Sequence, residues 1–116
     1  PYTTLFRSSV QRFMPPKKEE IYEKLDYEKK EIDQVLNSLI VNGEIIKLND
    51  EIYIDRSNYN KALDILTNHI GHNGSIVVAE YRDLLDTNRK VALGILEYFD
   101  QMKITKRDGD TRILFQ

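Results

Sequence analysis

Asp86-Thr87-Asn88-Arg89-Lys90-Val91 and Ile104-Thr105-Lys106-Arg107-Asp108-Gly109-Asp110-Thr111-Arg112 decide how this chain is read. The first stretch is a turn running into a helix. Asp86, Thr87 and Asn88 can each accept a free N–H with the side chain, as a helix cap must. The second is a hairpin, because Asp108-Gly109-Asp110 tolerates positive φ at its tip. Between the two, Val91, Ile95, Leu96, Phe99 and Met102 mark one face of a helix. Two cations thus open a helix, and three more flank a hairpin tip.

Outward from that core, Ala79 to Leu85 predicts a short helix and Ser75-Ile76-Val77-Val78 a small strand. Tyr59 to about His69, with Ala62, Leu63, Leu66 and Ile70 at helical spacing, predicts a further helix, stopped from Gly71 to Ser75. Ile104 to Arg107 and Thr111 to Phe115 alternate as hairpin strands. Helix, strand, short helix, turn, long helix and hairpin are the parts of a winged helix.

The same plan appears once more. Leu25 and Leu85, Asp26 and Asp86, Leu36 and Leu96, and Asp50 and Asp110 are each offset by sixty positions. Lys17 to Leu25 predicts the short helix and Glu28 to Val41 the long one, stopped by Asn42-Gly43. Glu44 to Leu48 and Glu51 to Ile54 predict a hairpin over Asn49-Asp50. Leu5, Val10 and Phe13 suggest an opening helix, truncated at its start and ended by Pro15-Pro16. The expected fold class is α+β, mainly helical: two tandem winged-helix domains, each a helix-turn-helix plus a β-hairpin wing. The expected modules are residues 1–57 and 58–116, close neighbours without a flexible linker.

Composition sets the limits. In 116 residues, 41% hydrophobic and 31% charged, a modest core under a solvated surface is expected, not a disordered chain. The absence of cysteine excludes disulfides and thiolate metal sites. No run approaches the ~20 apolar residues of a membrane span. The chain opens on Pro1 rather than Met and is expected to be a piece of a longer protein. Net charge is −2, so attraction to nucleic acid must be local. From Arg89 onward there are six cations against four acids.

Arg89 and Lys90 are the leading candidates for phosphate contact. Cations at a helix N-terminus oppose the dipole, by about 0.3–1 kcal/mol each, so stability alone does not call for them. Asn88 caps the same helix. On the wing, Thr105 and Arg107 share one face, and Ile104 and Lys106 the other. Taking Ile104 as the inward residue sends Lys106 to the rim, snorkelling outward, and makes Arg107 the better ligand. Arg112 completes the wing set. Arg82 on the short helix is expected to be exposed. Tyr81 reads first as core, since it takes the place of Ile21; stacking on an extruded base is the alternative. Lys17-Lys18 and Lys29-Lys30 are each followed by acids and read as mixed-charge surface. His69 and His72 read as ordinary helix residues. No nucleophile lies beside a histidine and an acid, so an enzyme has no constellation to stand on.

Val78-Ala79-Glu80-Tyr81-Arg82-Asp83-Leu84-Leu85, Thr87-Asn88-Arg89-Lys90, Leu96-Glu97-Tyr98-Phe99-Asp100 and the run from Thr105 to Arg112 together resemble the C-terminal part of bacterial selenocysteine-specific translation elongation factors. The resemblance is close over about the last forty residues. It is looser over the first block, where it leans on Phe13-Met14-Pro15-Pro16, Leu39 and Gly43. Where that family commonly carries glycine and serine, this chain carries Asp86 and Asn88. The resemblance implies binding of a messenger-RNA hairpin beside an in-frame UGA codon. Ribosome and selenocysteyl-tRNA would be met through the full-length protein, as a monomer in the cytoplasm, away from membranes. The fragment has no Gly-x-x-x-x-Gly-Lys-Ser/Thr loop, so it is expected to be no enzyme, with GTP belonging to a part outside it. Two rivals remain. A winged-helix DNA-binding transcription regulator would need polar side chains along the long helix, where this one has Ala92, Gly94 and Tyr98. A protein-interaction module would suit the near-neutral charge.

Overall fold

A computed structural model describes residues 13–115, and the expected opening helix lies almost wholly outside them. Among the described residues the order is α1 (Lys18–Lys24), α2 (Lys29–Val41), β1 (Ile45–Lys47), β2 (Tyr53–Asp55), α3 (Arg56–Asn73), β3 (Ile76–Val77), α4 (Val78–Leu85), α5 (Arg89–Gln101), β4 (Thr105–Asp108) and β5 (Thr111–Leu114). The chain is α+β and mainly helical. From α3 onward it has the winged-helix order, with a three-stranded antiparallel sheet β3-β5-β4.

The sixty-residue offset survives in three dimensions. α2 and α5 occupy corresponding positions and have 13 residues each. Before both short helices the same local device recurs. The N–H of Lys17 donates to Glu20 Oε1 at 3.5 Å, and the N–H of Val77 to Glu80 Oε1 at 3.0 Å. Each satisfies one backbone donor at a helix start that lacks a capping hydroxyl or carboxylate. Where β3 pairs with β5, the first block has a single bridge, Lys17 to Ile52.

α3 is longer than the sequence suggested. It starts at Arg56, capped by Asp55, and passes through Gly71 to end at Gly74. Gly74 has φ +87°, the left-handed conformation that ends helices and that glycine adopts without penalty.

Packing explains why the blocks lie together. Ile21, Ile32, Leu36, Ile45 and Tyr53 form a small cluster inside the first block. The next residues along the same hairpin, Ile46, Leu48, Ile52 and Ile54, belong to the main core with Leu66, Ile76, Tyr81, Ile95 and Phe99. Ile46 and Ile54 are cross-strand partners. Successive strand residues point to opposite faces, so this hairpin is buried on both sides and joins the two blocks. Phe13 is buried in the main core as well, with its N–H donating to Asp86 O at 3.3 Å.

Candidate nucleic-acid interface

The corner between α4 and α5 is shaped by its turn residues. Asp86 ends α4 at φ +52°, the left-handed conformation for which a glycine would be the usual occupant. Thr87 is buried and reaches Met14 Sδ at 3.4 Å. Asn88 Oδ1 accepts the N–H of Val91 at 2.9 Å and caps α5. Its expected part in binding is therefore indirect: the cap fixes where Arg89 and Lys90 stand. Arg89 is exposed and has no side-chain partner among the described residues. Lys90 is also exposed, but its ammonium lies 2.5 Å from Glu51 Oε2. The hydrogen bond from Lys90 holds the Glu51 carboxyl below the usual carboxylate range. Arg82 is half-exposed on α4 and turns its Nε onto Asp83 Oδ1 at 3.0 Å.

The wing differs from the sequence reading in one respect of consequence. The inward phase begins at Thr105, which is 1% exposed, while Ile104 is only half-buried. Thr105 can be buried because its hydroxyl donates to Asp100 Oδ1 at 2.6 Å. Arg112 donates through Nε and Nη2 to the other oxygen of the same carboxylate, at 3.3 and 3.1 Å. With 4% exposure, Arg112 is a structural residue that clamps the wing to α5, and the phosphate role proposed for it is withdrawn. Tyr81 is likewise fully buried. Its hydroxyl donates to Ala62 O at 2.7 Å, and burial pushes its pKa up, so it is no platform for a base.

Lys106 and Arg107 remain as the exposed wing cations. Arg107 Nε donates to Gly109 O at 3.0 Å across a two-residue turn in which Gly109 has φ +63°. Lys106 sits opposite Ile113 and borders a shallow groove with Ile70, Gly74 and Leu114. Pairing of Val77 with Thr111 places the wing tip beside the start of α4. An eight-residue helix, roughly 12 Å long, then leads from the wing tip to the corner that carries Arg89. Arg89, Lys106 and Arg107 thus form the exposed cation set without a carboxylate partner among the described residues, while Arg82 and Lys90 are each engaged in an ion pair.

Two features bear on what the long helix can read. Beyond Arg89, the outer positions at helical spacing are Leu93, Glu97 and Gln101, which offer no cation to a phosphate. α5 is covered at Gly94: a Cβ there would lie 3.2 Å from both Asn49 Nδ2 and Ile52 Cδ1 of the β1–β2 loop. Glu51 and Asp100 were missed as partners of the site cations. A glycine inside an apolar helix is the available sequence signal of that close approach. On the first block, Lys18 pairs with Asp33 at 3.7 Å, and Lys18 and Lys29 lie over the Tyr22 ring. His69 Nε2 stands 3.5 Å from Glu80 Oε2, and among the described residues no group of side chains could hold a metal ion. No described helix is long and apolar enough to cross a membrane.

The geometry defines a winged helix with an exposed basic corner and wing. Residues 68–114 match the family model described as elongation factor SelB, winged helix. The chain is 30% identical over 99 residues to the selenocysteine-specific elongation factor of Desulfomicrobium baculatum, covering 85% of this chain and 16% of that protein. It is 46% identical over 41 residues to the Escherichia coli (strain K12) factor, covering 35% of this chain and 7% of that one. The chain therefore spans a small part of the relatives it matches. Among solved structures, the mRNA-binding domain of elongation factor SelB from Escherichia coli, in complex with SECIS RNA, shares the fold. It has a TM-score of 0.79 at 23% identity, over 85% of this chain and 82% of that one. A bacterial selenocysteine-specific elongation factor also shares the fold, with a TM-score of 0.73 at 19% identity, over 86% of this chain and 16% of that one. The family model and the relatives make this chain similar to selenocysteine-specific elongation factors, and the solved structures share its fold.

Proposed function

We propose that this chain is the RNA-binding part of a selenocysteine-specific elongation factor, recognising a messenger-RNA hairpin beside an in-frame UGA codon. Two tandem winged-helix domains, meeting near residue 57, would form it. The observation that carries the reading is Arg89: an exposed cation without a partner among the described residues, at the N-terminus of a helix in a SelB-type winged helix. A phosphate there meets both the guanidinium and the free N–H groups of the helix. Arg82, Lys106 and Arg107 extend the contact along the α4 and wing side. The kinship to a domain bound to SECIS RNA supports this choice of ligand.

The mechanism is tethering. Holding the hairpin raises the local concentration of factor and charged tRNA at one codon. GTP, selenocysteyl-tRNA and ribosome contacts, in the cytoplasm, would belong to the whole factor rather than to this part of it. The DNA-regulator reading loses ground because α5 is covered at Gly94 by the first block's hairpin and its outer stripe beyond Arg89 carries no cation for the DNA backbone. The test is affinity for a hairpin taken from beside an in-frame UGA, against a scrambled hairpin and duplex DNA, at 50 and 200 mM salt. Hairpin-selective binding that weakens about tenfold in Arg89→Ala is expected, as for loss of a charge-assisted contact. A preference for duplex DNA, or no effect of Arg89→Ala, would sink the reading.

A further inference from the structure

Lys90 should be a free phosphate ligand next to Arg89, yet it is not free. Glu51 Oε2 lies 2.5 Å from its ammonium, and Glu51 comes from the hairpin loop of the other block. That carboxylate is aimed by a rigid support. Asn49 Oδ1 accepts the N–H groups of both Glu51 and Ile52 at 2.9 Å, which fixes the loop backbone. The loop in turn rests on α5 at Gly94, where a Cβ would stand only 3.2 Å from Asn49 and Ile52. α5 has no acid of its own in its first turn. The negative charge that complements its basic N-terminus is therefore supplied from outside the helix, at the place an RNA phosphate would take.

Both partners of the pair are more than half exposed, at 58% each. Water and salt reach them, and an exposed pair of this kind is weak enough for a competing anion to displace. We infer that Glu51 is a specificity-determining residue that competes with RNA phosphate for Lys90, so that the first block sets how strongly the second holds nucleic acid. This inference rests on the RNA-binding reading and adds the regulation of its site. An arbitrary polyanion that reaches Lys90 must first break the pair. The net gain from that contact is then small, and binding without the remaining contacts at Arg89 and the wing stays weak.

The test is the salt dependence of binding to a scrambled RNA hairpin by the 116-residue chain and its Glu51→Gln variant. Freeing one cation for phosphate should add nearly one unit to the slope of log affinity against log salt. It should also tighten binding about threefold at the low-salt end. Asp50→Asn is the control, since it removes the same charge from the same loop. Asp50 is almost fully exposed and pairs with Lys47 at 3.3 Å rather than with Lys90. It should leave the slope unchanged. In a Lys90→Gln background, Glu51→Gln should have no further effect. An unchanged slope in Glu51→Gln, with Arg89→Ala still weakening hairpin binding, overturns this inference and leaves the RNA reading standing. An equal gain from Asp50→Asn, or a gain that persists without Lys90, also overturns it, because the effect would then be general charge. Loss of effect at both Arg89 and Lys90 on every RNA would instead overturn the RNA reading itself.

Discussion

The hairpins β1–β2 and β4–β5 occupy corresponding places in the two blocks and do opposite jobs. The first is apolar on both faces: Ile45 and Tyr53 look into their own block, Ile46 and Ile54 into the other. The second has one inward face, which holds Thr105 and Arg112 on Asp100; Lys106 lies on the opposite face, and Arg107, on the inward face, is exposed because it sits at the hairpin tip. One topology thus serves as mortar in the first block and as a probe in the second. The pattern of apolar and charged residues along the strands decides which. A consequence for nucleic-acid binding follows: the first hairpin has spent its faces on packing, whereas the second keeps a charged edge exposed.

The largest effect should come from the mortar. Ile54→Ala empties a site that is 1% exposed, at a cost of about 3 kcal/mol. If the shared hairpin makes the blocks one cooperative unit, urea unfolding of this variant will stay a single transition shifted as a whole. Two separated transitions would break the comparison, because each block would then stand on its own core. Next comes the clamp of the second wing. Asp100→Ala strands Arg112 in a buried place and should cost about 3 kcal/mol, the low end for such a pair because Asp100 is a quarter exposed. It should also weaken RNA binding by loosening the wing. Replacing Asp100, Arg112 and Thr105 together with Leu, Met and Val, so that the Thr105 hydroxyl is not left without its acceptor, should recover most of the stability. An unchanged melting temperature in the single variant would show that the wing is held by something else.

The smallest effect tests the core beneath α4. Tyr81→Phe removes one buried hydrogen bond to Ala62 and should cost about 1 kcal/mol at neutral pH. The pH dependence has a definite sign. Burial raises the Tyr81 pKa, so the phenol stays neutral in the fold, while the unfolded chain ionises near pH 10. Stability is therefore full below about pH 10 and falls as pH rises above it. Tyr81→Phe should flatten that fall in a series of thermal melts between pH 8 and 11. An identical slope in both proteins would place the alkaline sensitivity elsewhere.

Much of this was legible in the sequence because it was local. The repeat located α2 and α5, with Glu28, read as the first residue of α2, proving to be its N-cap, and Asp108-Gly109-Asp110 located the wing tip. The two-sided hairpin was also written there, in the unbroken runs Ile45-Ile46 and Ile52-Tyr53-Ile54, since strands buried on both faces lose polar alternation. What escaped was set by partners far along the chain. Arg112 looked like a ligand because Asp100 is twelve residues away, and nothing in the letters pairs the two. Thr105 looked less suited to the interior than Ile104 until the carboxylate that accepts its hydroxyl was in view. Lys90 looked free because Glu51, thirty-nine residues earlier, gives no local sign of its reach. Gly71 resembled a stop, yet no backbone requirement acts there; Gly74 carries the positive φ that ends the helix.

Asp55 closes strand β2 and caps α3, its carboxylate accepting the N–H of Asn58 at 3.3 Å. The joint between the blocks therefore has no residue left over to rotate. A loose connector would let two bodies reorient within nanoseconds. Here, changing their angle means breaking strand and cap hydrogen bonds, an opening event on the microsecond-to-second scale. The link between the blocks thus behaves as a latch with a waiting time, and amide hydrogen exchange at Arg56 and Asn58 would read that waiting time directly.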